Sequence, residues 1–111
     1  MEAKPKRIQT FVSANGKAPF EEWFSRISDQ TIKARIATRI DRLRLGNFRD
    51  CKSVGMGVFE LRIHAGPGYR IYFGLVGVEV VLLLGGGSKS DQRKDILLSY
   101  RNWKEFNSGK T

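Results

Sequence analysis

The sequence predicts an α+β domain: an N-terminal strand and two helices packed on an antiparallel sheet, then a C-terminal helix. Three observations predict it. Between Val58 and Leu84, three stretches with strand patterning are separated by glycine-rich turns, as in an antiparallel meander. Apolar residues at helical spacing precede this meander twice and follow it once. The chain has 111 residues, enough for one domain with a real core and too few for a second.

Arg7 to Ser13 alternates Ile8, Thr10 and Val12 against Arg7, Gln9 and Phe11, and reads as one strand. Asn15-Gly16-Lys17 breaks it. Pro19 suits a first helical turn, with Glu21 and Glu22 near the positive end of the helix dipole. Phe20, Trp23, Phe24 and Ile27 then recur at i, i+3, i+4 and i+7, so this aromatic stripe is core. Ser28 or Asp29 is the expected N-cap of a second helix that runs to about Leu45, with Gly46 at the stop. Ile32, Ile36, Ile40 and Leu43 mark its buried side; Arg35, Arg39 and Arg42 form a cationic stripe elsewhere on it, with few acids to pair them. Asn47 to Ser53 reads as a polar connection.

In the meander, Val58 to Ile63 sets Phe59, Leu61 and Ile63 against Glu60 and Arg62, and Tyr69 to Phe73 sets Arg70 and Tyr72 against Tyr69, Ile71 and Phe73. Ala65 to Gly68 supplies the first turn. Gly74 to Gly77 is expected to supply the second, before the almost unbroken aliphatic strand Val78 to Leu84. Charges in mid-strand are costly to pack unless their face meets water or a ligand, which predicts an open cationic face. The last helix is expected from Ser88 or Ser90 to about Asn107, with Ile96, Leu97, Tyr100, Trp103 and Phe106 on its apolar side.

Composition narrows the function. Twenty Lys and Arg against eleven Asp and Glu give a formal net charge of +9, a field that attracts nucleic acid, an anionic surface or an acidic protein. The longest apolar run is far shorter than the roughly 20 residues of a membrane span, and the polar start from Met1 to Arg7 lacks a signal-peptide pattern, so a cytoplasmic protein is expected. One cysteine, Cys51, and one histidine, His64, make neither an internal disulfide nor a four-ligand zinc site, and no metal or cofactor is expected.

Gly85-Gly86-Gly87-Ser88-Lys89-Ser90 invites a phosphate-loop reading, but Ser88 stands where the nucleotide motif requires glycine, and the meander is antiparallel. What remains is a helix start with Lys89 at its tip, able to hold a phosphate of a larger ligand. Arg62, Arg70 and Lys89 project from two adjacent strands and from the helix start after the third, and could converge on one phosphodiester. Such a cluster stabilises charge developing on phosphoryl oxygens during attack by a ribose 2′-oxygen. Base and acid are also required, and His64 is the candidate at the strand end.

Glu60-Leu61-Arg62, Gly66-Pro67-Gly68-Tyr69-Arg70-Ile71-Tyr72-Phe73, Leu82-Leu83-Leu84-x-Gly-Gly and Lys89-x-Asp-x-x-x-Asp-Ile resemble the RelE/ParE superfamily of toxins, in particular its HigB-like addiction-module killer branch. The resemblance covers nearly the whole chain. It implies a type II toxin that cleaves messenger RNA on the translating ribosome without metal and is neutralised by a co-expressed antitoxin, a small helix-turn-helix protein. Arg70 matches the arginine that contacts the scissile phosphate in such nucleases; Arg62 and Lys89 match basic positions beside it. Lys52, Arg93 and Lys94 extend this set as expected RNA contacts, and the Arg35, Arg39 and Arg42 stripe is the expected antitoxin surface. Two positions depart from the pattern: Glu60 stands where a second lysine is found, and Ile96 where an acid/base tyrosine or histidine is found. Relatives that lack the nuclease residues poison DNA gyrase, and a non-catalytic RNA-binding domain of the same fold is a third reading.

Overall fold

The computed structural model describes residues 4–109, so residues 1–3 of the polar start lie outside the described part. Five strands and three helices follow in the order β1 (Arg7–Thr10), α1 (Pro19–Ser25), α2 (Gln30–Arg44), β2 (Cys51–Gly55), β3 (Val58–Ile63), β4 (Tyr69–Val76), β5 (Val80–Ser88) and, after a short 3-10 turn at Lys89–Asp91, α3 (Gln92–Ser108). They form one sheet ordered β1-β5-β4-β3-β2. The architecture is α+β as expected, but the sheet is mixed: β1 runs parallel to β5, with Ile8 opposite Val81 and Thr10 opposite Leu83. The α1–α2 crossover between β1 and the meander makes a parallel pairing possible, since a tight turn could not.

The antiparallel part has four strands rather than three. Cys51–Gly55, inside and just past the expected polar connection, pairs with β3 as an edge strand. Its polarity follows from that place: an edge strand is half exposed, and Lys52 and Ser53 are exposed. β1 in turn ends at Thr10, three residues early; the Phe11 amide still reaches the Leu83 carbonyl at 2.9 Å, but Val12 is exposed.

Helices cover both faces. Phe20, Trp23, Phe24 and Ile27 of the α1 region and Ile32, Ile36, Ile40 and Leu43 of α2 pack on Leu61, Ile63, Ile71, Phe73, Val81 and Leu83. On the other face Ile96, Tyr100, Trp103 and Phe106 of α3 pack on Val58, Tyr72, Leu82 and Leu84. Leu97, expected on that apolar side, is 60% exposed: it falls between the i, i+4, i+7 positions that meet the sheet. Asp29 is the N-cap of α2, its carboxylate accepting the Thr31 and Ile32 amides. Gly46 takes a positive φ of 87° just past the helix, as a C-terminal stop requires.

Glycines set how closely α1 and α3 approach. Gly74 lies within β4 rather than in the turn, and a β carbon there would stand 2.4 Å from the Trp103 ring. Gly85, Gly86 and Gly87 lie within β5 and pair with Tyr72, Ile71 and Arg70. A bulge between Tyr72 and Phe73 shifts the register and leaves Leu84 as the extra residue. In consequence Gly85 and Gly87 face Ser99 and Asp95 of α3, while Gly86 faces Trp23 of α1.

Candidate functional site

Arg62 and Arg70 are direct partners in the antiparallel β3–β4 ladder, so both side chains leave the sheet on one face. Like charges so opposed weaken a ladder. Glu60, two residues before Arg62 on the same face, offsets this: its Oε1 accepts from Arg62 Nε at 3.2 Å and its Oε2 lies 3.6 Å from Arg70 Nε. Gln92, opening α3, donates its Nε2 to the same Oε2 at 2.7 Å. Glu60 is fully buried and Arg70 is 8% exposed, whereas the Arg62 side chain keeps 39%. The face is therefore not the open cationic surface expected from the alternation. The first turn of α3 covers it, and a buried carboxylate neutralises part of its charge, because guanidiniums this deep require a partner.

Beyond Glu60 the site opens. Arg62, His64, Arg70 and Lys89 line one cleft of about 440 Å³, with the turn from Ala65 to Gly68 as its floor. All four catalytic candidates thus share a single cavity. Gly68, at φ 86°, fixes their spacing: its carbonyl accepts the Lys89 amide at 3.0 Å, and a β carbon on it would lie 3.6 Å from Lys89 Cβ and 3.8 Å from Arg70 Nη1. A guanidinium carries five N–H donors, so an arginine that turns Nε to Glu60 retains its Nη edge for a second anion.

The glycine run does not act as a phosphate loop. Its backbone belongs to the β5 ladder, and its missing side chains make room for Trp23 and Asp95. Lys89 alone of that motif reaches the cleft. Lys52, Arg93 and Lys94 are exposed, but none lines the cleft. Lys52 sits opposite Glu60 on the edge strand, Arg93 borders a shallow groove with Ile96 and Tyr100, and Lys94 borders another with Trp23 and Tyr69.

Arg35, Arg39 and Arg42 line a second cleft of about 490 Å³ between α2 and the end of β3. Arg39 does find an acid: its Nη1 meets Asp50 Oδ2 at 3.1 Å and its Nη2 the Arg49 carbonyl at 2.7 Å. Asp50 escaped the sequence reading because it lies eleven residues away, beyond the helical spacings at which pairs are visible. Arg35 Nη1 donates to the His64 carbonyl at 3.2 Å.

Three groups near the site were not predicted: Gln92, Tyr72 and Asp95. Tyr72 is fully buried, and burial first, then the charges of Glu60 and Asp95, push its phenol well above the usual tyrosine range. It keeps its proton. Asp95 is also pushed up, by burial first and then by Asp91, with Lys94 opposing. The sequence signals were the alternation that sets Tyr72 on the face of Arg70, and the i, i+3 spacing of Gln92 and Asp95 at a helix start. Cys51 lies outside the cleft, and burial pushes its thiol up to about 11, so it is no nucleophile at neutral pH. Tyr100 gives its hydroxyl to the Val54 carbonyl and Ile96 packs in the core. The cleft can therefore hold a phosphate between cations, with His64 as its exposed imidazole.

No family model matches the sequence. Over 77 residues, 69% of this chain and 78% of the other, it is 51% identical to a protein of Haemophilus influenzae (strain ATCC 51907 / DSM 11121 / KW20 / Rd) described as an uncharacterized protein. The chain belongs to the same family as that Haemophilus protein. That description assigns no activity, so the kinship fixes family and leaves function to the site. Among the described residues no helix is long and apolar enough to cross a membrane.

Proposed function

We propose that the chain is the toxin of a type II toxin–antitoxin pair, of the RelE/ParE superfamily and its HigB-like branch, and that it cleaves messenger RNA on the translating ribosome. The observation that carries this reading is the single cleft shared by Arg62, His64, Arg70 and Lys89. In the proposed reaction the ribose 2′-oxygen bonds to phosphorus while the bond to the 5′-oxygen breaks, leaving a 2′,3′-cyclic phosphate and a 5′-hydroxyl. Arg70 and Lys89 hold the phosphoryl oxygens as their charge grows, a contribution of ~3–4 kcal/mol per well-placed donor. Arg62, more exposed, holds the adjoining backbone, and His64 carries the proton. The partner is an acidic or locally acidic antitoxin of the helix-turn-helix kind that covers part of this cationic surface, either capping the cleft or holding the chain away from the ribosome; its association is fast and salt-sensitive.

Expression in bacteria, with and without the neighbouring reading frame, followed by mapping of messenger 5′ ends tests the proposal. New ends that appear with growth arrest and vanish with the neighbour support it. Two observations favour a second reading: Glu60 lies at ion-pair distance from Nε of both arginines, and a hydrophobic residue, Ile96, fills the expected acid/base position. If growth stops with messenger ends unchanged while DNA breaks accumulate, the chain is a gyrase poison instead.

A further inference from the structure

We infer that the cleft lined by Arg35, Arg39 and Arg42 is a second phosphate-binding stretch of the same RNA track, joined to the first through His64. The inference rests on the RNA-cleaving reading for the identity of the ligand. Ile63 and His64 line both clefts, and the Arg35 bond to the His64 carbonyl holds α2 and the end of β3 as one wall. A strand seated between Arg70 and Lys89 therefore leaves the first cleft directly into the second.

The lining favours phosphate over a protein partner. Besides the arginines it offers the hydroxyl of Thr31, while Thr38 donates its own to the Ala34 carbonyl at 3.0 Å, and its apolar members are Ala34 and Ile63, the latter 2% exposed. The hot spots of protein interfaces are enriched in aromatic anchors seated in pockets, and this lining has no aromatic member; cations and a hydroxyl suit a sugar–phosphate backbone. Arg39 is held in advance by Asp50 and the Arg49 carbonyl, and its buried Nε has no hydrogen-bond partner among the described residues. Arg35 and Arg42 are exposed and seven residues apart on one helix, about 10.5 Å along the axis. A stacked strand rises about 3.4 Å per phosphate along its axis, so that separation corresponds to about three nucleotides of one strand.

The test uses the full chain and fluorescein-labelled 2′-O-methyl RNA, which cannot be cleaved, in lengths of four and ten nucleotides. The ten-mer is expected to bind at least tenfold more tightly than the four-mer. Arg42→Gln, which leaves the Arg35 bond to the His64 carbonyl in place, should reduce that gain, leave the four-mer unchanged and reduce the salt slope by about 0.7, the value for one lost phosphate contact. Arg42→Lys, which keeps the charge, should retain the slope, and matching thermal melts exclude misfolding. Equal affinity of the two lengths, or an unchanged slope in the glutamine variant, overturns the inference. So does a glutamine variant that loses the neighbouring-frame protein while binding RNA normally. Messenger cleavage in cells is scored separately: intact messenger with length-dependent RNA binding overturns the nuclease reading alone, and cleavage without length dependence overturns the track alone.

Discussion

Glu60 and Arg70, on adjacent strands and both buried, form an ion pair with Oε2 3.6 Å from Nε, directly beneath the cleft. The pair ties buried Arg70 to a carboxylate that also accepts from Arg62 and Gln92. Removing one partner of such a pair costs ~3–5 kcal/mol. Glu60→Ala is therefore expected to lower stability by about that amount in urea titration. Arg62→Ala should cost less, because the Arg62 side chain is 39% exposed and Glu60 still has Arg70 and Gln92 beside it. Similar losses for both would show that the deep pair has no special weight.

If the chain cleaves messenger RNA as proposed, Arg70→Lys should act as a loss of function rather than a conservative change. Lysine has one charged head and cannot face Glu60 with one edge and a phosphate with another. Messenger cleavage, measured as the rate of new 5′ ends after induction, is expected to fall ~10²–10³-fold, the usual consequence of removing a donor that stabilises transition-state charge. Retention of wild-type cleavage by the lysine variant would remove Arg70 from the site.

Gly74→Ala places a β carbon 2.4 Å from the Trp103 ring, and Gly87→Ala one 1.8 Å from Asp95 Oδ2. Each should destabilise by ~1–3 kcal/mol through overpacking. Tryptophan emission separates them, since only Gly74→Ala displaces an indole directly. Gly16→Ala is the contrast: nothing lies within 4 Å of its β position, so any loss there comes from its positive φ of 84° alone.

Asp95 provides a pH signature. Its folded pKa is raised, so the native chain takes up this proton before the unfolded chain does. The cost of its charge is present above the folded pKa and is relieved as pH falls toward the ordinary carboxylate range. Asp95→Asn should therefore melt higher than wild type at pH 7, with the advantage shrinking on acidification. An advantage that stays constant between pH 7 and pH 4 would show that titration of Asp95 is not its source.

Cys51, pushed up to about 11 from 9.0, should be alkylated by iodoacetamide on the order of 100-fold more slowly in the native protein than in urea at pH 8. Burial is the main cause and Asp50 adds to it, while Arg39 opposes. Arg39→Gln should slow the reaction further, and an acceleration would reverse the assigned sign of that contribution.

What the sequence determined by itself is whatever repeats locally. Period-two alternation placed Leu61 and Ile63 against Glu60 and Arg62, and helical spacing put Phe20, Trp23 and Ile36 in the core; Asp29 and Gly46 marked the ends of α2. That Arg62, His64, Arg70 and Lys89 lie near one another was legible too, because turn residues fix where neighbouring strands begin. Long-range pairing decided the rest. Neither the parallel partner of β1 nor the edge strand Cys51–Gly55 has a pattern of its own, since a short half-exposed strand resembles a loop. The bulge at Tyr72 and Phe73 turned a glycine run that reads as a ligand loop into the bed of α1 and α3. Register set Arg62 against Arg70 and Glu60 between them, and folding brought Asp50 to Arg39. Those charge pairings, which decide whether a cation is free for a ligand, depend on which distant segments are hydrogen-bonded and at what offset, and no local periodicity carries that information.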